Sequence, residues 1–129
     1  MKYIFSLLLT LLILSGCSSY APKNNYQQIS MKEAVSIMET EDNYIILDVR
    51  TKEEYQEKHI PGAVNLPNET IGTADIPELP VKEQLILVYC RSGNRSKQAA
   101  KKLSALGYTN IIEIGGINDW TGDTVSGDS

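Results

Sequence analysis

Two cysteines and one histidine are all the Cys and His side chains in this chain of 129 residues. A Cys/His zinc cluster needs about four such ligands, so that class is excluded. A disulfide-stapled scaffold fits the same scarcity poorly. Net positive charge is lacking too: 12 Lys and Arg stand against 16 Asp and Glu, a formal net charge of −4. General nucleic-acid binding normally needs a basic face, so no nucleic-acid partner is expected. No internal repeat is visible, and no apolar run reaches the ~20 residues of a membrane-spanning helix. The apolar share of 42% supports a packed core, and the length has room for one domain of about 100–200 residues. These exclusions leave a small acidic globular protein whose cysteines need explaining.

The N-terminus reads Met1-Lys2-Tyr3, an apolar run from Ile4 to Leu14, then Ser15-Gly16-Cys17. One positive charge followed by a short apolar stretch is the n- and h-region of a signal peptide; an uncleaved N-terminal anchor is the alternative. Small residues directly before a cysteine resemble the lipobox of bacterial lipoproteins. The resemblance implies that residues 1–16 are removed, that Cys17 carries the lipid, and that the protein is an extracytoplasmic, membrane-anchored lipoprotein. Cys90 is then the only free thiol. Residues 17–28, with Pro22, Asn24 and Asn25, read as a flexible tether. Residues 29–120 form the domain, and residues 121–129, rich in Gly, Ser, Thr and Asp, read as a disordered tail.

Within the domain, Ser30 and Glu33 form a capping box that opens a helix with Ala34, Val35 and Met38 on one side. Tyr44 to Val49 reads as a buried strand, and a second capping box at Thr51 and Glu54 opens a short helix over Lys52 to Glu57. His59-Ile60-Pro61-Gly62 is a turn before a short strand from Ala63 to Leu66. Pro67 to Gln84 holds three of the five prolines and no clear period. Leu85 to Tyr89 is a second strong strand that delivers Cys90 at its end. Ser96 is expected to cap a helix carrying Ala99, Ala100, Leu103 and Leu106, stopped by Gly107. Asn110 to Ile114 is a final strand. Strands alternating with helices predict the α/β class, with right-handed crossovers and a parallel sheet whose sites form at the carboxyl ends of strands.

Cys90-Arg91-Ser92-Gly93-Asn94-Arg95-Ser96 lies at such an end. A free thiol with a pKa near 8.5 is only about 3% thiolate at pH 7. A strand-to-helix loop can curl its amides into an anion-binding nest, and the following helix aims its positive end at the same place. Gly93 supplies the backbone freedom for that curl. Such a site activates a cysteine without a histidine. The alternative is a small buried hydrophobe at a strand end. Residues 91–102 hold Arg91, Arg95, Lys97, Lys101 and Lys102 and no acid. Lys97 in the first helical turn opposes the dipole, which suggests recruitment of an anionic substrate; Lys101 and Lys102 read as a solvated face.

Four segments resemble single-domain rhodaneses. Leu47-Asp48-Val49-Arg50-Thr51-x-x-Glu54-Tyr55 and His59-Ile60-Pro61-Gly62-Ala63-x-Asn65-Leu66-Pro67 look like the family's opening motifs. Val88-Tyr89-Cys90-x-Ser92-Gly93-x-Arg95-Ser96 looks like its active-site loop, and Gly115-Gly116-x-x-x-Trp120 like its closing motif. Lys58 departs from the family's glycine before the histidine. The resemblance implies a parallel sheet of about five strands flanked by helices, and sulfur transfer through a Cys90 persulfide. A small anionic donor such as thiosulfate gives up its sulfane sulfur to the Cys90 thiolate. The loop from Arg91 to Ser96 cradles the persulfide, with Arg91 and Arg95 favouring anions, and cyanide or a thiol then takes the sulfur. No metal or organic cofactor is needed for these steps. Asp48 and Arg50 are read as holding loops beside the site, His59 as structural, and Trp120 as packing. Two alternatives remain open: a persulfide carrier without turnover, and a phosphatase or arsenate reductase. Those enzymes use a Cys-x5-Arg cradle, where this chain has Cys90-x4-Arg95.

Overall fold

A computed structural model describes residues 25–128. The signal peptide read at residues 1–16, the lipid site at Cys17 and the tether up to residue 24 lie outside the described residues. The strands are β1 Tyr26–Gln28, β2 Tyr44–Asp48, β3 Val64–Asn65, β4 Leu85–Cys90 and β5 Ile111–Gly116; the helices are α1 Met31–Thr40, α2 Lys52–Glu57 and α3 Asn94–Ala105. All five strands run parallel in the order β1-β5-β4-β2-β3, so the α/β architecture expected from the sequence is the one observed.

Local chemistry sets the helix starts. The Ser30 hydroxyl accepts from the Glu33 amide at 3.1 Å, and Thr51 with Glu54 forms a complete capping box. Apolar residues on both sides of β2, β4 and β5 fit a parallel sheet covered on both faces. Alternation along the strands turns Leu47, Val49, Ile86, Val88, Cys90 and Ile111 toward Ala99, Ala100 and Leu103 of α3. Ile46, Leu87, Tyr89, Ile112 and Ile114 face Met31 and Ala34 of α1 and Tyr55 of α2. From β2 the chain goes to β3 on one side and then returns to β4 on the other. The loops leaving β2 and β4 therefore flank the crevice where such sheets bind ligands.

Both domain boundaries need correction. Tyr26–Gln28, read as the end of the tether, is an edge strand in register with Ile111 to Glu113. An edge strand needs hydrogen bonds on one side only and tolerates polar side chains, so its polar sequence concealed it. Residues 121–128, read as disordered, lie on the domain: the backbones of His59 and Val125 exchange hydrogen bonds of 2.9 and 3.0 Å. Gln56 Nε2 donates to Asp128 Oδ1 at 2.8 Å and Ser126 Oγ to the Glu57 carbonyl at 2.9 Å.

A buried polar knot ties the loops after β2 and α2 to β4. Arg50 Nη2 meets Asp48 Oδ2 at 2.7 Å and the Lys58 carbonyl at 2.7 Å. Tyr89 Oη donates to Asp48 Oδ2 at 2.6 Å while accepting the Ile60 amide at 3.1 Å. Burial, then the Asp48 charge, pushes the Tyr89 phenol far above its ordinary value, so it stays a donor. Tyr89→Phe is expected to lower stability by about 1–3 kcal/mol, because the buried Ile60 N–H loses its acceptor. The urea midpoint reads this directly, and an unchanged midpoint contradicts it.

Candidate active site

Cys90 ends β4, and the chain that leaves it doubles back at once. Gly93, with φ +110°, caps α3. The nearest atom to a Cβ placed there is 3.8 Å away, so the demand for glycine is torsional and not a matter of space. The turn aims the Gly93 amide at Cys90 Sγ, 3.0 Å away, and the Cys90 thiol donates to Ser96 Oγ at 3.3 Å. Burial pushes the thiol up. Hydrogen bonds from the Ser96 hydroxyl and from the Ser96, Gly93 and Ser92 amides outweigh it, leaving Cys90 below its ordinary value. The residue is 1% exposed, so its sulfur lies beneath the loop.

β5 forms the wall behind this loop. Val88 pairs with Glu113 but Cys90 pairs with Gly116, so β5 carries one extra residue there, a bulge. Gly115 in the bulge has φ +89°, and its amide donates to Glu113 Oε1 at 2.9 Å. A Cβ on Gly116 would overlap the Arg91 carbonyl and stand 2.6 Å from Ser92 N. Glycine at 116 is therefore what lets the loop rest on the strand. The Asn118 amide then holds the Arg91 carbonyl at 3.2 Å.

The sequence places the loop correctly but misreads two of its side chains. Ser96 does not cap α3: the helix begins two residues earlier, and Ser96 is buried with its hydroxyl turned into the site. Arg95 is not a free anion receptor, since Nη1 and Nη2 grip Glu54 Oε1 and Oε2 at 2.6 and 3.0 Å. That grip, through the Arg95 hydrogen bond first, lowers Glu54 to about 2. Arg91, Ser92, Asn94, Lys97 and Lys101 are exposed. Lys102 Nζ donates to the Asn68 carbonyl and Oδ1 at 2.9 and 3.1 Å, binding α3 to the segment after β3.

Asp48 and Arg50 sit in the polar knot with Tyr89 and make no hydrogen bond to Cys90. His59 is buried, stacked on Tyr55 at 3.7 Å, with Nδ1 2.8 Å from the Tyr55 carbonyl oxygen. Trp120 packs at the edge of the α1-side core, and its Nε1 donates to the Asp123 carbonyl at 2.9 Å. Among the described residues, no three His, Cys, Asp or Glu side chains are grouped to hold a metal ion.

The residue that sequence reasoning missed is Glu113. It is 3% exposed and accepts the Ser96 hydroxyl at 2.6 Å, one hydrogen bond removed from the thiol. Its signal was a lone carboxylate in Ile111-Ile112-Glu113-Ile114, where a strand covered on both faces should be apolar throughout.

Comparison with known proteins agrees with this geometry. The family model of the rhodanese-like domain matches residues 30–123. The chain is 35% identical over 118 residues to the adenylyltransferase and sulfurtransferase UBA4 of Candida albicans, a match spanning 86% of this chain but only 27% of that protein. It is 38% identical over 73 residues to the thiosulfate sulfurtransferase PspE of Escherichia coli, covering 57% of this chain and 70% of that one. A solved rhodanese with anions from Escherichia coli superimposes with a TM-score of 0.60 at 36% identity, over 65% of this chain and 99% of that chain.

The Glu54–Arg95 clasp predicts a pH-dependent stability. Because Glu54 is depressed from 4.5 to about 2, its contribution is complete above 4.5 and fades as the pH falls toward about 2. At neutral pH, Glu54→Gln is expected to cost about 1 kcal/mol, a value kept low by partial exposure. Urea midpoints of the wild type and the variant should converge across that acidic range; a constant gap would show that the ion pair is not its source.

Proposed function

The chain belongs to the rhodanese-like domain family, and from that premise we propose that it is a sulfurtransferase working through a persulfide on Cys90. The observation that carries the reading is the Cys90 thiol at a strand's carboxyl end, depressed by the hydroxyl and amides of its own loop. The thiolate attacks the sulfane sulfur of a small anion such as thiosulfate, and sulfite leaves with the electron pair of the broken S–S bond. The persulfide stays in the amide cradle until cyanide or a thiol takes its outer sulfur, which returns the thiolate. The name of the Escherichia coli relative supports thiosulfate as donor. Cys90 itself is 1% exposed, and the Arg91 and Ser92 that follow it are the exposed part of its loop.

Two features weigh against phosphate or arsenate chemistry. The ring from Cys90 to Arg95 is one residue shorter than a Cys-x5-Arg cradle. Arg95, which would have to clasp the oxyanion, is engaged by both oxygens of Glu54.

After thiosulfate treatment, the Cys90-containing peptide should gain the mass of one sulfur, and adding cyanide should give many turnovers of thiocyanate. Cys90→Ala should abolish both. A single stoichiometric transfer would make the protein a carrier, and hydrolysis of an aryl phosphate without persulfide would make it a phosphatase.

In this reading the domain works on the extracytoplasmic side of a bacterial membrane, tethered through lipid on Cys17. The support is the sequence alone: a basic start, an apolar run and small residues before Cys17. Labelled palmitate should enter the wild-type protein in cells and not the Cys17→Ala variant; equal labelling of both removes the anchor from the reading.

A further inference from the structure

Burying a carboxylate is costly unless something compensates for it. Glu113 stands on the face of β5 that carries Ile111 toward α3, where an apolar residue would be expected. Among the described residues the ion pairs are Asp48–Arg50, Asp75–Lys82 and Glu54–Arg95, so no basic side chain pairs with Glu113. What its Oε1 receives is the Gly115 amide at 2.9 Å and the Ser96 hydroxyl at 2.6 Å. The second is the shorter of the two, with the Ser96 hydroxyl as donor.

Ser96 has one hydroxyl proton and several acceptors around it: Glu113 Oε1 at 2.6 Å, the Gly93 carbonyl at 2.9 Å and, when ionised, Cys90 Sγ at 3.3 Å. It can serve only one of them well. With the proton directed at Glu113, the Ser96 oxygen offers a lone pair to the thiol, and the three groups stand in file as S–H, O–H and carboxylate.

We propose that Glu113 is the internal proton acceptor for Cys90 and that the Ser96 hydroxyl carries the proton between them. The S–H bond breaks and its proton goes to Ser96 Oγ, while the proton already on Ser96 goes to Glu113 Oε1. The sulfur keeps the electron pair, the negative charge moves from carboxylate to thiolate, and nothing is oxidised or reduced. The Gly93 amide, 3.0 Å from the sulfur, meets the arriving charge. This deepens the sulfur-transfer reading and rests on it for its use: attack on the donor needs a thiolate, and the file supplies one without releasing a proton to solvent.

The charged groups around the file are few. Arg95 of α3 is held by Glu54 of α2, whose hydrogen bond is the main cause that raises its affinity for protons, with Cys90 a lesser one. Opposite Glu113 in register, β1 presents Gln28 and β4 presents Val88, both uncharged.

Two groups that share one proton titrate as a pair. Alkylation by iodoacetamide, measured on the Cys90-containing peptide of the full chain, should therefore rise with pH in two steps. Between them lies a flat stretch in which one proton is divided between Cys90 and Glu113 whatever the pH. Glu113→Gln and Ser96→Ala should each lose the flat stretch and titrate in one step. On the wild type, the infrared carbonyl band of a protonated carboxylic acid should accompany thiolate absorbance over that stretch, and Glu113→Gln should remove the band. A one-step wild-type profile, a two-step profile that survives the substitutions, or thiolate without the acid band overturns the proposal. The wild-type measurements decide it even where neither variant folds. Alkylation needs no sulfur donor, so a two-step profile without any persulfide would overturn sulfur transfer and leave the relay standing. A persulfide with a one-step profile would do the reverse.

Discussion

A sulfur at the end of a buried strand is pushed toward its neutral form by the apolar layer around it. Hydrogen-bond donors brought back to it by the chain that leaves the strand can reverse that push. In this protein the reversal comes from the amides of Ser92, Gly93 and Ser96 with the Ser96 hydroxyl. The curl that aims them exists because Gly93 accepts a φ of +110°. Much of the rest of the site can be understood as what keeps that curl in place.

The support comes from both sides of the crevice. Behind the loop, the bulge at Gly115 and the bare Cα of Gly116 let the Arg91 and Ser92 backbone lie on β5. In front, the two-pronged grip of Arg95 on Glu54 fastens the start of α3 to α2. Below, Tyr89, the residue before the thiol, ties β4 to Asp48, Arg50 and the Ile60 turn. Arg95, which the sequence reading gives to anions, and Lys102, read there as part of a solvated face, both make structural contacts, which leaves Arg91, Lys97 and Lys101 as the exposed positive charge near the loop.

Glu113 gives the site a second character. An acid placed one hydroxyl away from a nucleophile does not simply add negative charge; it competes for the same proton. The cradle amides stabilise the thiolate by position alone, whereas the Ser96 hydroxyl can do so only when Glu113 releases its hold. In the proposed relay, thiol activation joins a fixed electrostatic part to a movable protonic one.

The parallel sheet, the helix caps at Ser30 and Thr51, the strand-end cysteine and its glycine turn were legible in the sequence, because each depends on residues close together in the chain: apolar period, cap spacing, a Cys followed by a flexible position. The edge strand Tyr26–Gln28 and the docked tail were not, because their hydrogen bonds go to β5 and to the His59 turn, far along the chain. The partners of Arg95 and Ser96 escaped for the same reason. Glu54 lies 41 residues from Arg95 and Glu113 lies 17 from Ser96. By itself the sequence determined that a cysteine ends the central strand and how the backbone turns around it. The tertiary structure alone decided which charges remain free and where the thiol's proton can go, since those are set by side chains that only the closed sheet brings within hydrogen-bond reach.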